Sequence, residues 1–301
     1  PTFEDYAGAY APSIRHCMQS SDGEDNGLEV FRPIIKWRLP TNWKVPAFTS
    51  SNDPAHNAMS HRSMAAAAVG PQGDREPGRF MGIPSPFPKK SYTGGDHSLG
   101  HSGGYNFYLQ SGVPEHVDTW LEPGVDDYYR ARNELKKKKY EGQVMPGLGH
   151  GGSHFLIFPN VSVDHWRIRP RHPAGVGGCE LFRFFPVDKD APKHVKDAQR
   201  HYVMRFNGPL GMVEADDMEN WNYVYPASKG TIARRYPYNF QAGINRNFED
   251  NRLPGFHLSH TSQSEEGHRA RFSRWLAFME AGSWDDLYPI HPGITPEWGP
   301  K

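Results

Sequence analysis

The chain has 301 residues, and its 34 Lys+Arg balance 34 Asp+Glu, so the formal charge is zero with neutral histidine. That balance excludes a strongly basic nucleic-acid binder and an acidic disordered tail, while 37% hydrophobic and 13% aromatic residues are enough to build a core. The sequence holds no run of 18 apolar residues, so no membrane span is expected, and the length suits one large domain or two small ones.

Residues 1–30 are mixed and polar, lack the basic-then-apolar pattern of a secretory leader, and include a loop at Ser20–Gly27. Ile34, Ile35, Trp37 and Leu39 predict a half-buried strand leading to Trp43. Asp53 followed by Pro54 reads as an N-cap and a first-turn proline, so a helix starts there. Residues 65–104 are rich in Ala, Gly, Pro and Ser and read as a short helix followed by a long irregular excursion. Tyr105–Gln110 fits a strand or a short helix. Residues 126–140 predict a helix that ends in the Lys136–Lys139 run, read as a solvated helix end.

Consecutive antiparallel strands are expected over His154–Asn160, Val161–Arg169 and Cys179–Val187, with Pro170–Gly178 turning between the last two. A helix follows, with Asp190 as N-cap, Pro192 in the first turn, and Val195, Ala198, Tyr202, Val203 and Phe206 at helical spacing. Asn207–Gly211 breaks it, and a second helical stretch runs from Val213 to Val224. Ser262 and Glu265 fit a capping box; Phe272, Trp275, Leu276 and Met279 then make one apolar stripe, closed by Gly282. Strands followed by helices, in a chain with 31 glycines and 27 prolines, point to an α+β fold.

Two cysteines, Cys17 and Cys179, cannot build a disulfide framework and point to a reducing, cytoplasmic setting, whereas 16 histidines invite a search for metal ligands. His56 and His61 are the first pair of interest. Five residues on an ideal helix turn through about 500°, which leaves the two imidazoles about 140° apart. They meet on one ion only where the helix bulges or breaks. Glu214, Asp216, Asp217 and Glu219 then crowd one short stretch beside the apolar Met212, Val213, Met218 and Trp221. The plain alternative is a solvated acidic first turn helped by the helix dipole. A buried carboxylate, by contrast, must be paired or bind a metal. Two histidines and one carboxylate form the facial triad of non-haem Fe(II) oxygenases, and either Asp216 or Asp217 can supply the carboxylate. Asp96, His97 and His101 are a rival group, but the glycines around them disfavour the helix that a His-x3-His pair needs. His150 and His154 are another, with plain packing as the alternative.

At these residues the chain resembles the catalytic domain of the α subunit of Rieske-type aromatic-ring-hydroxylating dioxygenases, the naphthalene/biphenyl dioxygenase group. The matching pieces are Asn42-Trp43-Lys44, Asp53-x-x-His56-x4-His61, Phe158-Pro159-Asn160 and Phe185-Pro186-Val187-Asp188-Lys189-Asp190-Ala191-Pro192. Gly208-Pro209 leading into Glu214-x-Asp216-Asp217-x-Glu219-Asn220, and Arg274-Trp275 followed by Ser283-Trp284, complete the set, in the family's order over residues 30–285.

The resemblance implies that His56, His61 and Asp217 ligate a mononuclear Fe2+, and that Asp53 is the catalytic bridge to a Rieske [2Fe-2S] cluster on a neighbouring subunit. It implies a helix-grip (START/Bet v 1-like) fold, a curved antiparallel sheet packed on a long C-terminal helix, with an apolar cavity for an aromatic substrate. Asn57, Ala65, His154, Asn207 and Val213 match positions of that pocket. The activity implied is addition of dioxygen to an aromatic ring to give a cis-dihydrodiol, driven by NADH through ferredoxin/reductase electron donors in an α3 or α3β3 oligomer. A Rieske centre needs two thiolates and two imidazoles. Cys17 and Cys179 carry no Cys-x-His pattern, so residues 1–301 read as the mononuclear-iron catalytic domain alone. The family's Glu-Asn before the phenylalanine is also absent, since Ala47 runs straight into Phe48. A Rieske-type monooxygenase or demethylase on the same scaffold, and a metal-free carrier of a hydrophobic ligand, are the other readings.

Overall fold

The structure is a computed structural model, and it describes residues 2–32, 34–50, 56, 59–61, 91–107, 122–141, 146–147, 155–164, 167–249, 255–259 and 264–287. Asp53, Asn57, Ala65, His150, His154 and Ser262 lie outside the described residues.

In chain order the elements are α1 (Phe3–Ala7), a 3-10 turn (Gly8–Tyr10), α2 (Ala11–Cys17), β1 (Leu28–Val30), β2 (Ile35–Leu39), α3 (Lys44–Ser50), β3 (Ser91–Asp96) and β4 (Ser102–Phe107). Then come α4 (Val125–Lys139), β5 (Pro146–Gly147), β6 (Phe155–Ile157), β7 (Val161–Asp164), β8 (Arg167–Pro173), β9 (Cys179–Arg183), β10 (Pro186–Asp188), α5 (Lys193–Phe206) and α6 (Glu214–Ser228). β11 (Asn247–Glu249), β12 (Phe256–Ser259), α7 (Glu266–Glu280) and α8 (Trp284–Leu287) close the series.

Helix and sheet are mixed. Among the described residues ten strands make one sheet in the order β11-β12-β3-β4-β6-β7-β8-β9-β2, with β5 added beside β4, and β1 with β10 makes a separate pair. Every described ladder is antiparallel. Three apolar clusters hold it. Ala7, Tyr10, Ile14 and Cys17 of the N-terminal helices pack with Phe155, Val163, Phe256 and Leu258 of the sheet. Phe31, Val125, Tyr129, Phe185, Val195 and Val203 join α4 and α5. Leu39, Cys179, Leu181, Met218 and Trp221 seat α6 on β2 and β9.

α7 lies against β3, β4 and β12. It comes so close that a Cβ on Gly95 would sit 2.4 Å from the Ala270 Cβ and 3.0 Å from the Glu266 carbonyl oxygen. Gly95 and Gly100 therefore serve a helix-on-strand approach, and the predicted irregular excursion is, over residues 91–104, part of the β3–β4 hairpin. The reading of Val161–Arg169 as one strand is also corrected: Val161 pairs with Pro170 and Asp164 with Arg167, so the run folds back on itself as a hairpin. Cys179–Val187 divides between two ladders, β9 on β2 and β10 on β1. The turn before β9 is confined to the residues after Pro173, where Ala174 N–H donates to the Gly178 carbonyl at 2.9 Å.

Pro192, not Asp190, caps α5. The lysine run is not wholly solvated, because Lys139 donates to the Gly23 carbonyl at 2.6 Å and pairs with Glu24 at 3.0 Å. The apolar stripe of α7 does not mark its buried face. That face carries Gly267, Ala270, Arg271 and Arg274, while Leu276 and Met279 are exposed. The arginines bury their stems and stack their charge on rings, Arg271 lying 4.3 Å from the Phe48 centroid and Arg274 4.9 Å from that of Phe278.

Candidate metal centre

The centre is built on α6, whose first turn is fixed in the core. Glu214 is buried and accepts from Arg183 Nε at 2.6 Å and from the Gly208 N–H at 2.6 Å. Gly208 takes φ 81°, which lets the chain turn sharply out of α5 and present that N–H. Burial opposes ionisation of Glu214, but the Arg183 charge and these hydrogen bonds outweigh it and hold the carboxyl below its ordinary pKa. One turn on, Met218 and Trp221 enter the apolar cluster, and the indole N–H donates to Thr49 Oγ1 at 3.0 Å. The four carboxylates thus part ways: Glu214 goes to Arg183, Asp216 and Asp217 face two imidazoles, and Glu219 is exposed.

His56 is helical, as are Met59 and Ser60, whereas His61 sits in the turn that follows. The ring centroids lie 5.4 Å apart at an interplanar angle of 78°. Asn220 Nδ2 donates to Ser60 Oγ at 2.7 Å and ties this turn to α6.

Asp217 Oδ1 lies 3.3 Å from His61 Nε2 and 3.6 Å from His56 Nε2, and one donor atom from each of the three residues falls within 4.8 Å of the others. Bonds of about 2.1 Å to one ion place neighbouring donors roughly 3 Å apart, so the spacing fits a shared mononuclear centre. The side chains of His61, Asp217 and His56 are 1%, 14% and 17% exposed. The other edge of the His61 ring faces Asp216, with Nδ1 3.4 Å from Oδ2. Burial alone would lower the His61 pKa; Asp217 and Asp216 outweigh it, and the pKa is raised. A carboxylate behind one nitrogen and a metal donor site before the other is the arrangement that fixes a ligating imidazole's tautomer and orientation.

Of the pocket positions, Asn207 is buried with its amide engaged at both ends, accepting from Arg167 Nη1 at 3.1 Å and donating to the Val203 carbonyl at 3.3 Å. Val213 is the N-cap residue of α6 and is partly exposed. The rival pair His97 and His101 is split. His101 is fully buried: Nδ1 accepts from the Phe158 N–H at 2.9 Å, so Nε2–H donates to the Tyr6 carbonyl at 2.6 Å. Burial pushes its pKa down to about 4, and it serves as a neutral packing residue. His97 instead faces His257 and Glu266. The partnership of Asp216 with His61 and the Asn220–Ser60 tie were not readable from spacing, since each joins segments some 155 or 160 positions apart.

No protein-family model matches the chain. Among curated proteins it is similar to the α subunit of biphenyl 2,3-dioxygenase from Rhodococcus jostii (strain RHA1), 28% identical over 300 residues that make up 98% of this chain and 62% of the relative. It is also similar to the α subunit of benzene 1,2-dioxygenase from Pseudomonas putida, 28% identical over 88% of this chain and 58% of that one. The chain thus spans about 60% of the length of the curated relatives it matches. Among solved structures it matches naphthalene 1,2-dioxygenase from Rhodococcus sp. bound to indole, with TM-score 0.68 and 25% identity over 94% of this chain and 63% of that one. In sequence and in fold the chain is related to the α subunits of these dioxygenases.

Proposed function

We propose that this chain is the catalytic part of the large, α subunit of an aromatic-ring-hydroxylating dioxygenase, adding both atoms of dioxygen to an aromatic ring to give a cis-dihydrodiol. The single observation that carries the reading is the meeting of His56, His61 and Asp217, from distant parts of the sequence, within one coordination sphere. The donor set suits ferrous iron with coordination positions left open, and iron bound there would supply the one-electron chemistry that dioxygen needs.

The rest of the work falls to the chain's own groups. Asp216 holds Nδ1 of His61, so that Nε2 presents its lone pair to the centre. The Arg183–Glu214 pair and the Trp221–Thr49 bond keep the first turns of α6, and with them Asp217, in register with the two imidazoles. Asp53 is assigned the bridge to a [2Fe-2S] cluster. The cluster's own ligands must come from residues other than Cys17 and Cys179, which are buried and lie outside any Cys-x-His pattern. Asn57, Ala65, His154, Asn207 and Val213 line the substrate pocket, which takes an apolar ring by shape, without ligation to the metal.

In this reading the sheet and α7 form a helix-grip domain. Two electrons from NADH, relayed through reductase and ferredoxin, balance the reaction together with two protons, one released from NADH and one taken from solvent. The working assembly is α3 or α3β3 in the cytoplasm, and no nucleic acid or membrane takes part. Among the described residues no helix is long and apolar enough to cross a bilayer.

The test has two stages. Anaerobic reconstitution with Fe(II) is expected to give one equivalent at this centre. The complete α subunit, supplied with NADH, reductase and ferredoxin, is then screened against benzene, biphenyl and naphthalene under 18O2. A cis-diol carrying two labelled oxygens supports the reading; protein that takes up no iron, or product with a single labelled oxygen, overturns it.

A further inference from the structure

A second group of metal-ligating side chains lies outside this centre. His97 sits in the turn after β3, His257 is on β12, and Glu266 is the first residue of α7. The fold brings them together for a stated reason. β12 pairs with β3 so that His257 stands opposite Gly95, and the missing side chain at Gly95 lets the start of α7 settle onto the strand. Glu266 Oε1 then reaches His97 Nε2 at 2.6 Å, and the rings of His97 and His257 lie 5.0 Å apart at 66°. One donor atom from each of the three falls within 4.8 Å of the others.

The carboxylate is prepared for a cation. Glu266 is only 3% exposed, and its second oxygen is committed to Arg269 Nε at 2.8 Å and to the Asn247 amide, which leaves Oε1 pointing at the histidines. His97 is 36% exposed, which gives an ion a path in from solvent and leaves a coordination position facing water.

We propose that His97, His257 and Glu266 form a second metal site, separate from the His56/His61/Asp217 centre, for a divalent transition ion that accepts two imidazoles, one carboxylate and water, with zinc the best match. Two imidazoles and a glutamate around a four-coordinate ion is a known zinc donor set. An ion there would set its donors about 3.3 Å apart, so His97 Nε2 and Glu266 Oε1, 2.6 Å apart, would separate to admit it. The site clamps the β3–β4 turn to β12 and to the start of α7.

The test uses Co(II), whose visible absorption reports four-coordinate nitrogen–oxygen sites, on metal-stripped protein under anaerobic conditions. Intact protein is expected to bind two equivalents, and His257→Ala and Asp217→Ala one each. In the Asp217→Ala background the remaining equivalent keeps the four-coordinate spectrum, and adding His97→Ala weakens it at least tenfold while the circular dichroism stays unchanged. Zn(II) is then expected to displace this Co(II). No four-coordinate equivalent in Asp217→Ala, or a titration that His257→Ala and His97→Ala leave unaltered, overturns the proposal and leaves His97–Glu266 as an ion pair only. Either result is independent of metal at the first centre, which the difference between intact protein and Asp217→Ala reports.

Discussion

Asp216 meets His61 at Nδ1, 3.4 Å away, on the edge of the ring opposite the one that Asp217 faces. Two consecutive carboxylates on one helix turn therefore take opposite sides of a single imidazole, and the proposed centre makes Asp216 the orienter and Asp217 the donor.

The two roles predict different losses. Asp217→Ala is expected to abolish iron binding, since it removes one of three donors. Asp216→Ala is expected to weaken binding by roughly 10–100-fold, the usual cost of losing a partner behind a ligating histidine. Iron content after dialysis against a graded chelator separates them. Full iron occupancy in Asp217→Ala would refute the ligand assignment, and equal losses would refute the division of labour.

Asp53→Ala is expected to leave iron bound while turnover of the complete, electron-supplied enzyme stops. Single-turnover product formation and iron analysis on one preparation check both halves. Normal product formation by this variant would sink the bridging role.

Arg183→Ala strands the buried Glu214 carboxylate at the start of α6. Breaking a buried pair from one side costs about 3–5 kcal/mol. Urea unfolding is expected to show a loss of that order, together with a lower iron content, because the same turn positions Asp217. An unfolding midpoint within error of the parent's would show that the pair does not anchor the helix.

Acid sensitivity follows from two buried histidines. Burial lowers the pKa of His101 to about 4, and burial with Arg271 and Arg269 nearby lowers that of His268 to about 3, against 6.5 in the unfolded chain. Between pH 6.5 and these values the unfolded state binds protons that the folded state refuses, so stability is complete above about 6.5 and falls as the pH drops. The slope is about 1.4 kcal/mol per pH unit for each group. Denaturation at pH 7.5 and 5 measures it; a flat profile would contradict the neutral, buried state of both rings.

Gly95→Ala tests the contact between α7 and β3. The added methyl would sit 2.4 Å from the Ala270 Cβ, and overpacking of this kind costs about 1–3 kcal/mol. A fall in melting temperature is expected. A melting temperature equal to the parent's would contradict the close approach.

Local signals carried part of this fold. Val195, Ala198 and Val203 at helical spacing do mark the buried face of α5, and Met218 and Trp221 mark that of α6. The failures have physical causes. Glycine density was read as loop because periodicity cannot distinguish a turn from a strand stripped of side chains to admit a helix. The stripe on α7 misled because the helix turns Arg271 inward onto Phe48 and buries Arg274 beside Phe278 of the same helix, and a hydropathy pattern does not register stacked arginines. At the candidate centre, the residue types and the acidic cluster were legible. The approach of the His56 and His61 rings, the partnership of Asp216, and the grouping of His97 with His257 and Glu266 were not, because strand pairing and helix docking create them.

The separation of His61 from Asp216 by 155 positions sets a schedule for maturation. During synthesis the two early imidazoles leave the ribosome long before the acidic turn exists, and a lone histidine pair holds ferrous ion weakly. On the proposed ligand assignment, metal capture waits until α6 has been made and docked, so that loading would report a completed centre.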